Sequence, residues 1–522
     1  MIDLLASNPY SCFSVGFVLL SSLYTYSKDR AANPHRLPTP PGPKGYPLIG
    51  NLLQAPSSKP WLTYEKWFKV YGDMVYFKIL GRSFLILGSL EKTADFFEKR
   101  SSNYSDRPTT IMLSDIMGWH YNWALLPYGT WWRRHRRAFH QYFHPNRVST
   151  YHPIQLKCIR GYLRRLLSDP EDFLSHTHHL FAELITEIAY GIKIKEHKDP
   201  YVERIKESLG AISEATIPGK YLVEMFPMMK YIPSWFPGAG WKRRGEYFKG
   251  LNELVAREPF ETVRNNLKNG TAFPSMAASL IEGLPEEGAP ERDEEERIAI
   301  SISATAFIGG ADTTVSTTQS FILAMCLHPE VQKKAQLELD MVLEGKRLPD
   351  LNDRPFLPYI NAMVKEAIRW HPVLPLAVPH MSTDDDEYEG YFIPKGTVVV
   401  GNAWAILHDP DVYEDPARFM PERFLKDGNL DPAVRDPLVA AFGFGRRLCP
   451  GIDMSDTSIF LTIASVLSVF DIQTPLDEDG IPIQIKPDYT NGNFQFPLPY
   501  KAVIKPRSRA AAMSVRDLEI AE

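Results

Sequence analysis

AFGFGRRLCPG, residues 441–451, places a single cysteine, Cys449, in a glycine-rich run. Gly443 and Gly445 precede it, and Pro450 and Gly451 follow. The next residues, IDMSDTSIFLTIASVL, read as a helix opening near Gly451. A cysteine just before a helix N-terminus has its thiolate favoured by the helix dipole and by free backbone N–H groups. Gly445 allows the backbone to turn close beneath a large flat ligand, and Arg447 can offer a charge-assisted bond to a carboxylate. Together these suit a thiolate axial ligand to haem, with Arg447 reaching a propionate. The bland alternative is a buried cysteine in a glycine-rich turn. The pattern F-x-x-G-x-R-x-C-x-G, filled by Phe442, Gly445, Arg447, Cys449 and Gly451, argues against it.

This segment resembles the haem-binding loop of the cytochrome P450 family, and the resemblance implies further motifs upstream. The first is E-x-x-R, met in KEAIRW as Glu366 and Arg369 on one helix face. Glu261/Arg264 and Glu294/Arg297 share that spacing, but only Glu366/Arg369 is followed by FMPERF, where Arg423 matches the family's third member. The implied Glu366–Arg369–Arg423 network is structural. The second motif is Gly309-Gly310-Ala311-Asp312-Thr313-Thr314, inside an apolar pattern running from near Arg297 to about Cys326. Glycines, an acid and threonines are poor mid-helix residues, and such a penalty often marks function. A threonine bonding back to an i−4 carbonyl loosens the helix and leaves room for dioxygen and water. Thr313 and Asp312 are the expected proton-delivering pair, because cleaving iron-bound oxygen consumes protons.

The third motif concerns propionate anchoring. YGTWWRRHRRAFH, residues 128–140, matches W-x-x-x-R as Trp132 and Arg136, with Trp131 and His135 as the alternative frame. Arg133, Arg134 and Arg137 then add to a basic surface for an acidic redox partner. His380, in PLAVPH, stands where the family has another propionate donor. Carried over by position, the substrate-pocket candidates are Met112, Ala306, Phe307, Thr314, Val373, Val378 and Phe494. They are mainly apolar, so a hydrophobic substrate is expected.

The wider sequence is consistent with this. The chain has 522 residues, 44% hydrophobic and 23% charged, with a net charge of −5. That balance argues against a nucleic-acid binder. Four unpaired cysteines argue against zinc sites and disulfide scaffolds. Residues 11–26, SCFSVGFVLLSSLYTY, are uncharged and are followed by Lys28 and Arg30. They read as a single membrane anchor with the remaining chain in the cytoplasm; a cleaved signal peptide would carry a basic n-region. The expected divisions are an anchor at 1–27, a basic and proline-rich hinge at 28–51, a catalytic domain at 52–506 and a frayed polar tail at 507–522. MVYFKILGRSFLIL, residues 74–87, reads as two strands around Gly81-Arg82, and residues 271–296 as an acidic loop. Residues 213–244, rich in aromatics and methionine, either pack in the core or dip into a membrane interface. The fold expected is mainly α with small β-sheets, the cytochrome P450 fold behind one transmembrane helix.

What the resemblance implies is a haem b monooxygenase of the microsomal type. It would sit in the endoplasmic reticulum membrane and draw electrons from NADPH through NADPH–cytochrome P450 reductase, with cytochrome b5 as a further donor. The wording of PGKYLVEMFPMMKYIPSWFPGAG resembles secondary-metabolism cytochromes P450 of mushroom-type filamentous fungi. That points to a terpenoid substrate, with polyketides and indoles as alternatives. A haem-thiolate isomerase or dehydratase would use Cys449 without oxygen, and a haem sensor would not need Asp312 and Thr313.

Overall fold

The computed structural model describes residues 32–216 and 219–517. The expected anchor, residues 1–27, lies outside them. The predicted hairpin forms from β1 (Met74–Ile79) and β2 (Arg82–Leu87), paired antiparallel with Met74 opposite Leu87. Leu80 and Gly81 make its turn at φ 47° and 83°, the doubly positive geometry that matches strand twist.

Around this hairpin the fold is helical. The main helices before the second sheet region are α1 (Pro60–Tyr71), α2 (Thr130–Phe143), α3 (His152–Ser168), α4 (Phe173–Tyr190), α5 (Pro200–Ala215), α6 (Gly240–Lys268), α7 (Met276–Glu282), α8 (Arg292–Leu327), α9 (Pro329–Leu343) and α10 (Pro358–Trp370). Then come β3 (His380–Met381) and β4 (Val398–Gly401), which complete a four-stranded sheet in the order β1-β2-β4-β3. The chain ends with α11 (Ile452–Val469), the antiparallel pair β5 (Phe470–Gln473) and β6 (Val503–Pro506), and α12 (Arg509–Arg516).

The long helix α8 is the axis of the core. It is apolar on every side, as befits a helix surrounded by protein, and α2, α4, α6 and α11 pack around it. Both α8 and α11 are long and apolar enough to cross a membrane, but 72% and 67% of their apolar windows are buried inside the fold. They are core helices.

Three boundaries differ from the sequence reading. The proline-rich stretch does not stand off as a free spacer. The Tyr76 N–H donates to the Pro41 carbonyl at 2.8 Å, and the Asn51 N–H donates to the Lys78 carbonyl at 2.6 Å. Prolines supply only acceptors, so the strap covers the open edge of β1. The supposed loop at 271–296 contains α7, capped by the Ser275 hydroxyl and burying Met276, Ala277 and Ala278. The polar tail folds as α12: the Ser508 side chain caps it, Val515 is fully buried, and Arg507 grips Asp340 with two bonds of 2.8 and 2.5 Å. The segment at 213–244 divides its residues: Tyr221 and Val223 are buried, whereas Leu222, Phe226, Met228, Tyr231, Trp235 and Phe236 stand exposed.

Glu366, Arg369 and Arg423 do come together. Arg369 donates to both carboxylate oxygens of Glu366, at 2.6 and 2.8 Å, and to the Leu407 carbonyl. Arg423 reaches Glu366 at 3.3 Å, and the Met420 N–H donates to the same oxygen at 2.8 Å. Glu366 and Arg369 are both fully buried. The competing Glu261–Arg264 pair is half-exposed, and Glu294 pairs with Arg134 rather than with Arg297. Removing one partner of a buried pair strands the other charge and costs about 3–5 kcal/mol. Glu366→Ala should therefore lower the thermal unfolding midpoint sharply. Glu261→Ala should leave it nearly unchanged in the same calorimetric scan.

Candidate active site

Cys449 lies at the end of a loop held by its own backbone. Its N–H donates to the Phe442 carbonyl at 2.9 Å, and Gly451 caps α11 directly after it. Burial pushes the thiol pKa up, while the Gly451 N–H and the Arg136 guanidinium pull it down. The sequence expectation for Gly445 needs a different cause. Gly445 sits at φ 55°, where a Cβ would lie 2.0 Å from the Phe97 carbonyl oxygen. It is required by the close passage of the segment carrying Phe97.

Beside this loop is a set of buried cationic and donor groups. Arg447 donates through Nε to the Ser105 carbonyl and through Nη2 to the Leu126 carbonyl, both at 2.8 Å. Its Nη1 is buried without a partner, as is the Trp132 indole N–H. The two side chains touch, with the guanidinium 4.4 Å from the Trp132 ring centre. Burial pulls the Arg447 pKa down to about 10. Arg136 donates to the Leu448 carbonyl, next to the cysteine. His380 is buried on β3, with Nδ1 donating to the Tyr104 carbonyl at 2.6 Å. Of the two tryptophan frames, the structure brings Trp132 to Arg447, whereas the His135 ring bonds back to the Trp131 carbonyl and Trp131 packs under Arg134 and Arg297. Arg134 is tied to Glu294 and Glu295, so it is not free for a partner surface, whereas Arg133 and Arg137 are exposed.

The sequence reading missed Arg107. It is buried beside this group, donating to the Val378 and Pro379 carbonyls at 2.6 and 2.8 Å and to Ala124. An arginine directly before a proline in a segment without charge periodicity gave no signal of its burial.

Along α8, the Thr313 hydroxyl donates back to the Gly309 carbonyl at 2.7 Å, as its spacing predicts. The two glycines serve different ends. A Cβ on Gly310 would lie 2.6 Å from Ile185, so Gly310 lets α4 approach. A Cβ on Gly309 would meet open space. Thr305 and Asn122 lie within 3.5 Å of each other, and Ser301 donates to the Tyr121 carbonyl. Residues 119–125 therefore run along the stretch of α8 that leads to Gly309.

The pocket candidates scatter. Val373 and Phe494 are brought near each other: the Gln495 N–H donates to the Val373 carbonyl, and the Ser316 hydroxyl of α8 donates to the Gln495 carbonyl. Val378 is half-buried, with its carbonyl taken by Arg107. Phe307 meets Tyr190 of α4 edge-on, and the Thr314 hydroxyl meets Ser455 of α11 at 3.3 Å. Both therefore pack helix against helix. Met112 is fully buried, its methyl group in the path of any Cβ at Gly245. Ala306 is buried as well. Their helix positions were legible, but which face met α4 was not.

Residues 40–501 match the family described as Cytochrome P450. The chain belongs to that family. It is 48% identical to "Cytochrome P450 monooxygenase COX1" of Coprinopsis cinerea over 92% of this chain and 93% of the relative. It is 46% identical to "Cytochrome P450 monooxygenase COX2" of the same organism, over 92% and 91%. "Tryptamine 4-monooxygenase" of Psilocybe cyanescens is 38% identical over 96% and 99%. The protein is accordingly a cytochrome P450 monooxygenase, an oxidoreductase, and the family implies a haem held by a thiolate.

The residues of this cytochrome P450 fit that group. Among the described residues, Arg107, Arg136 and Arg447 have no carboxylate ion-pair partner within 4 Å. Buried charges and donors left in this state are costly. The two carboxylates of a haem would offset most of that positive charge and could accept from Arg447 Nη1 and Trp132 Nε1. Gly445→Ala tests the loop. A positive φ alone costs an alanine about 1–3 kcal/mol, and the clash with Phe97 adds to it. The variant should lose most of its haem absorbance per mole of protein on purification, while Gly480→Ala in an open turn should keep it.

Proposed function

We propose that this protein inserts one oxygen atom from O2 into a hydrophobic small molecule, using Cys449 as the haem-iron ligand and NADPH as the electron source. The balance is RH + O2 + NADPH + H⁺ → ROH + H2O + NADP⁺. The observation that carries the reading is the Cys449 thiol at the end of the loop that carries Arg447, whose Nη1, like Trp132 Nε1, is buried without a protein acceptor. Thiolate-bound haem supplies oxygen activation, because the thiolate pushes electron density toward O–O cleavage. Arg447, Trp132, Arg136 and His380 orient the cofactor through its carboxylates. Asp312 and Thr313 move protons toward the oxygen site, with the Thr313 hydroxyl anchored on Gly309. Val373 and Phe494 form part of an apolar wall.

The electron donor is NADPH–cytochrome P450 reductase, with cytochrome b5 as a second donor, and the exposed Arg133 and Arg137 favour an acidic docking face. The site of action is the cytoplasmic face of the endoplasmic reticulum. Exposed Phe226, Met228, Tyr231, Trp235 and Phe236 beside Lys230 and Arg243 support contact of this face with a bilayer, where lipophilic substrates dissolve. A terpenoid of fungal secondary metabolism is the proposed substrate. The tryptamine-oxidising relative makes an indole amine the competing reading.

In dithionite-reduced full-length enzyme, carbon monoxide should move the Soret band to the thiolate-type position, and Cys449→Ala should abolish that band. A wild type lacking it would exclude the assignment. Sesquiterpene hydrocarbons should shift the resting spectrum at micromolar concentration more strongly than tryptamine does; the reverse order would select the indole reading.

A further inference from the structure

His178, which no motif singled out, lies at the outer end of the proposed proton route. It is on α4, which runs antiparallel to α8: Tyr190 meets Phe307 near one end, and the Leu174 carbonyl accepts from the Gln319 side chain near the other. Between them, His178 Nδ1 is 3.2 Å from Asp312 Oδ1. Among the described residues it is the only ion-pair partner of that carboxylate. The His178 side chain is 33% exposed and that of Asp312 is 23% exposed, so the imidazole is the more solvent-facing of the two. The Phe496 ring stacks on the imidazole with centres 6.1 Å apart and fixes its orientation.

We propose that His178 is a positioning and proton-supplying residue for Asp312, passing protons from solvent to the acid that precedes Thr313. This rests on the reading of Asp312 and Thr313 as the proton route. Nε2 takes a proton from solvent, Nδ1 gives one to Asp312 Oδ1, which leaves a neutral ring protonated at Nε2, and proton exchange with solvent restores the starting tautomer. No oxidant or further reactant is consumed. A charged lysine or arginine in this place would only donate, whereas an imidazole can accept a proton at one ring nitrogen and donate one from the other. Among the described residues, Asp312 is the ion-pair partner of the ring. From α8 it meets Asp312, and from the C-terminal segment it meets Phe496. On its own helix, His179 turns toward Glu183 and Glu196, and on α3, Lys157 and Arg165 are paired with Glu187 and Glu183.

The test uses full-length enzyme with its reductase and NADPH, without organic substrate. Oxygen then leaves either as H2O2, one NADPH per O2, or as water, two NADPH per O2, and the second path needs the extra protons. His178→Phe preserves the stacking on Phe496. It should raise the H2O2 share of consumed oxygen several-fold and enlarge the solvent isotope effect on NADPH oxidation. The carbon monoxide spectrum should not change. Asp312→Asn should also raise the H2O2 share, and the double variant should be no worse than Asp312→Asn alone. A second readout is independent of turnover: in diethyl pyrocarbonate labelling read by mass spectrometry, His178 should be modified several-fold faster in Asp312→Asn than in wild type. Wild-type behaviour of His178→Phe beside an impaired Asp312→Asn would overturn the role of His178 alone. Losses that multiply in the double variant, or labelling unaffected by Asp312→Asn, would overturn it too. An unimpaired Asp312→Asn would sink the proton-route reading itself.

Discussion

The guanidinium of Arg447 donates to the carbonyls of Ser105 and Leu126 and keeps Nη1 unpaired in the interior. Arg107 and Arg136 lie in the same region and also satisfy themselves on backbone carbonyls. Carbonyl dipoles stabilise such cations only in part, and burying charge without a counter-ion is among the costliest acts in folding. An anionic cofactor removes that cost, so binding and folding are linked: whatever satisfies Arg447 stabilises the native chain by mass action. The same residue fixes the geometry around it. Its two carbonyl bonds tie the cysteine loop to the segments at 105 and 126, and through Trp132 to α2.

From that anchor the structure extends in two directions. Toward the C-terminus, α11 begins directly after Cys449 and presents the Gly451 N–H to the thiol. Ser455, one turn later, meets Thr314, so the helix below the cysteine is joined to α8 by a polar contact within an otherwise apolar interface. Toward the N-terminus, Gly445 lets Phe97 pass at backbone distance, and a ring stack between Phe97 and Phe444 closes the gap. The fully buried Glu366–Arg369 pair holds α10 to the segment at 407–423. Its contribution is to specify one packing rather than to add much net stability, since a buried ion pair roughly balances its own desolvation.

Helix α8 shows how adjacent, identical residues can have different structural settings. Gly309 and Gly310 are adjacent and both cost the helix about 1 kcal/mol relative to alanine. Gly310 is there because Ile185 leaves no room for a Cβ, whereas at Gly309 the helix faces open space. Packing requires the first, and no neighbouring atom requires the second, although in the sequence they look alike.

Much of the site was legible without coordinates. Cys449 and Arg447 stand in one short run and Asp312 and Thr313 in another, and the Glu366–Arg369 pair meets through its i,i+3 spacing, whereas Arg423 and the roles of these groups were expected from the family resemblance. The hairpin at 74–87 and the extent of α8 are local in the same sense. Arg107, His178 and the choice of Trp132 over Trp131 were not legible. Nor were the packing of Met112, Phe307 and Thr314, or the docking of the proline strap and the last helix. Each of these depends on which face of one element meets a partner distant in sequence, and periodicity constrains that only where one face is apolar and the other polar. On α8, apolar all round, no such contrast exists. The sequence by itself determined which groups stand together in short runs, Cys449 with Arg447 and Asp312 with Thr313, because neighbours in the chain stay neighbours in the fold. Tertiary structure decided which groups surround it, because those contacts are made by side-chain packing between helices brought together from across the chain.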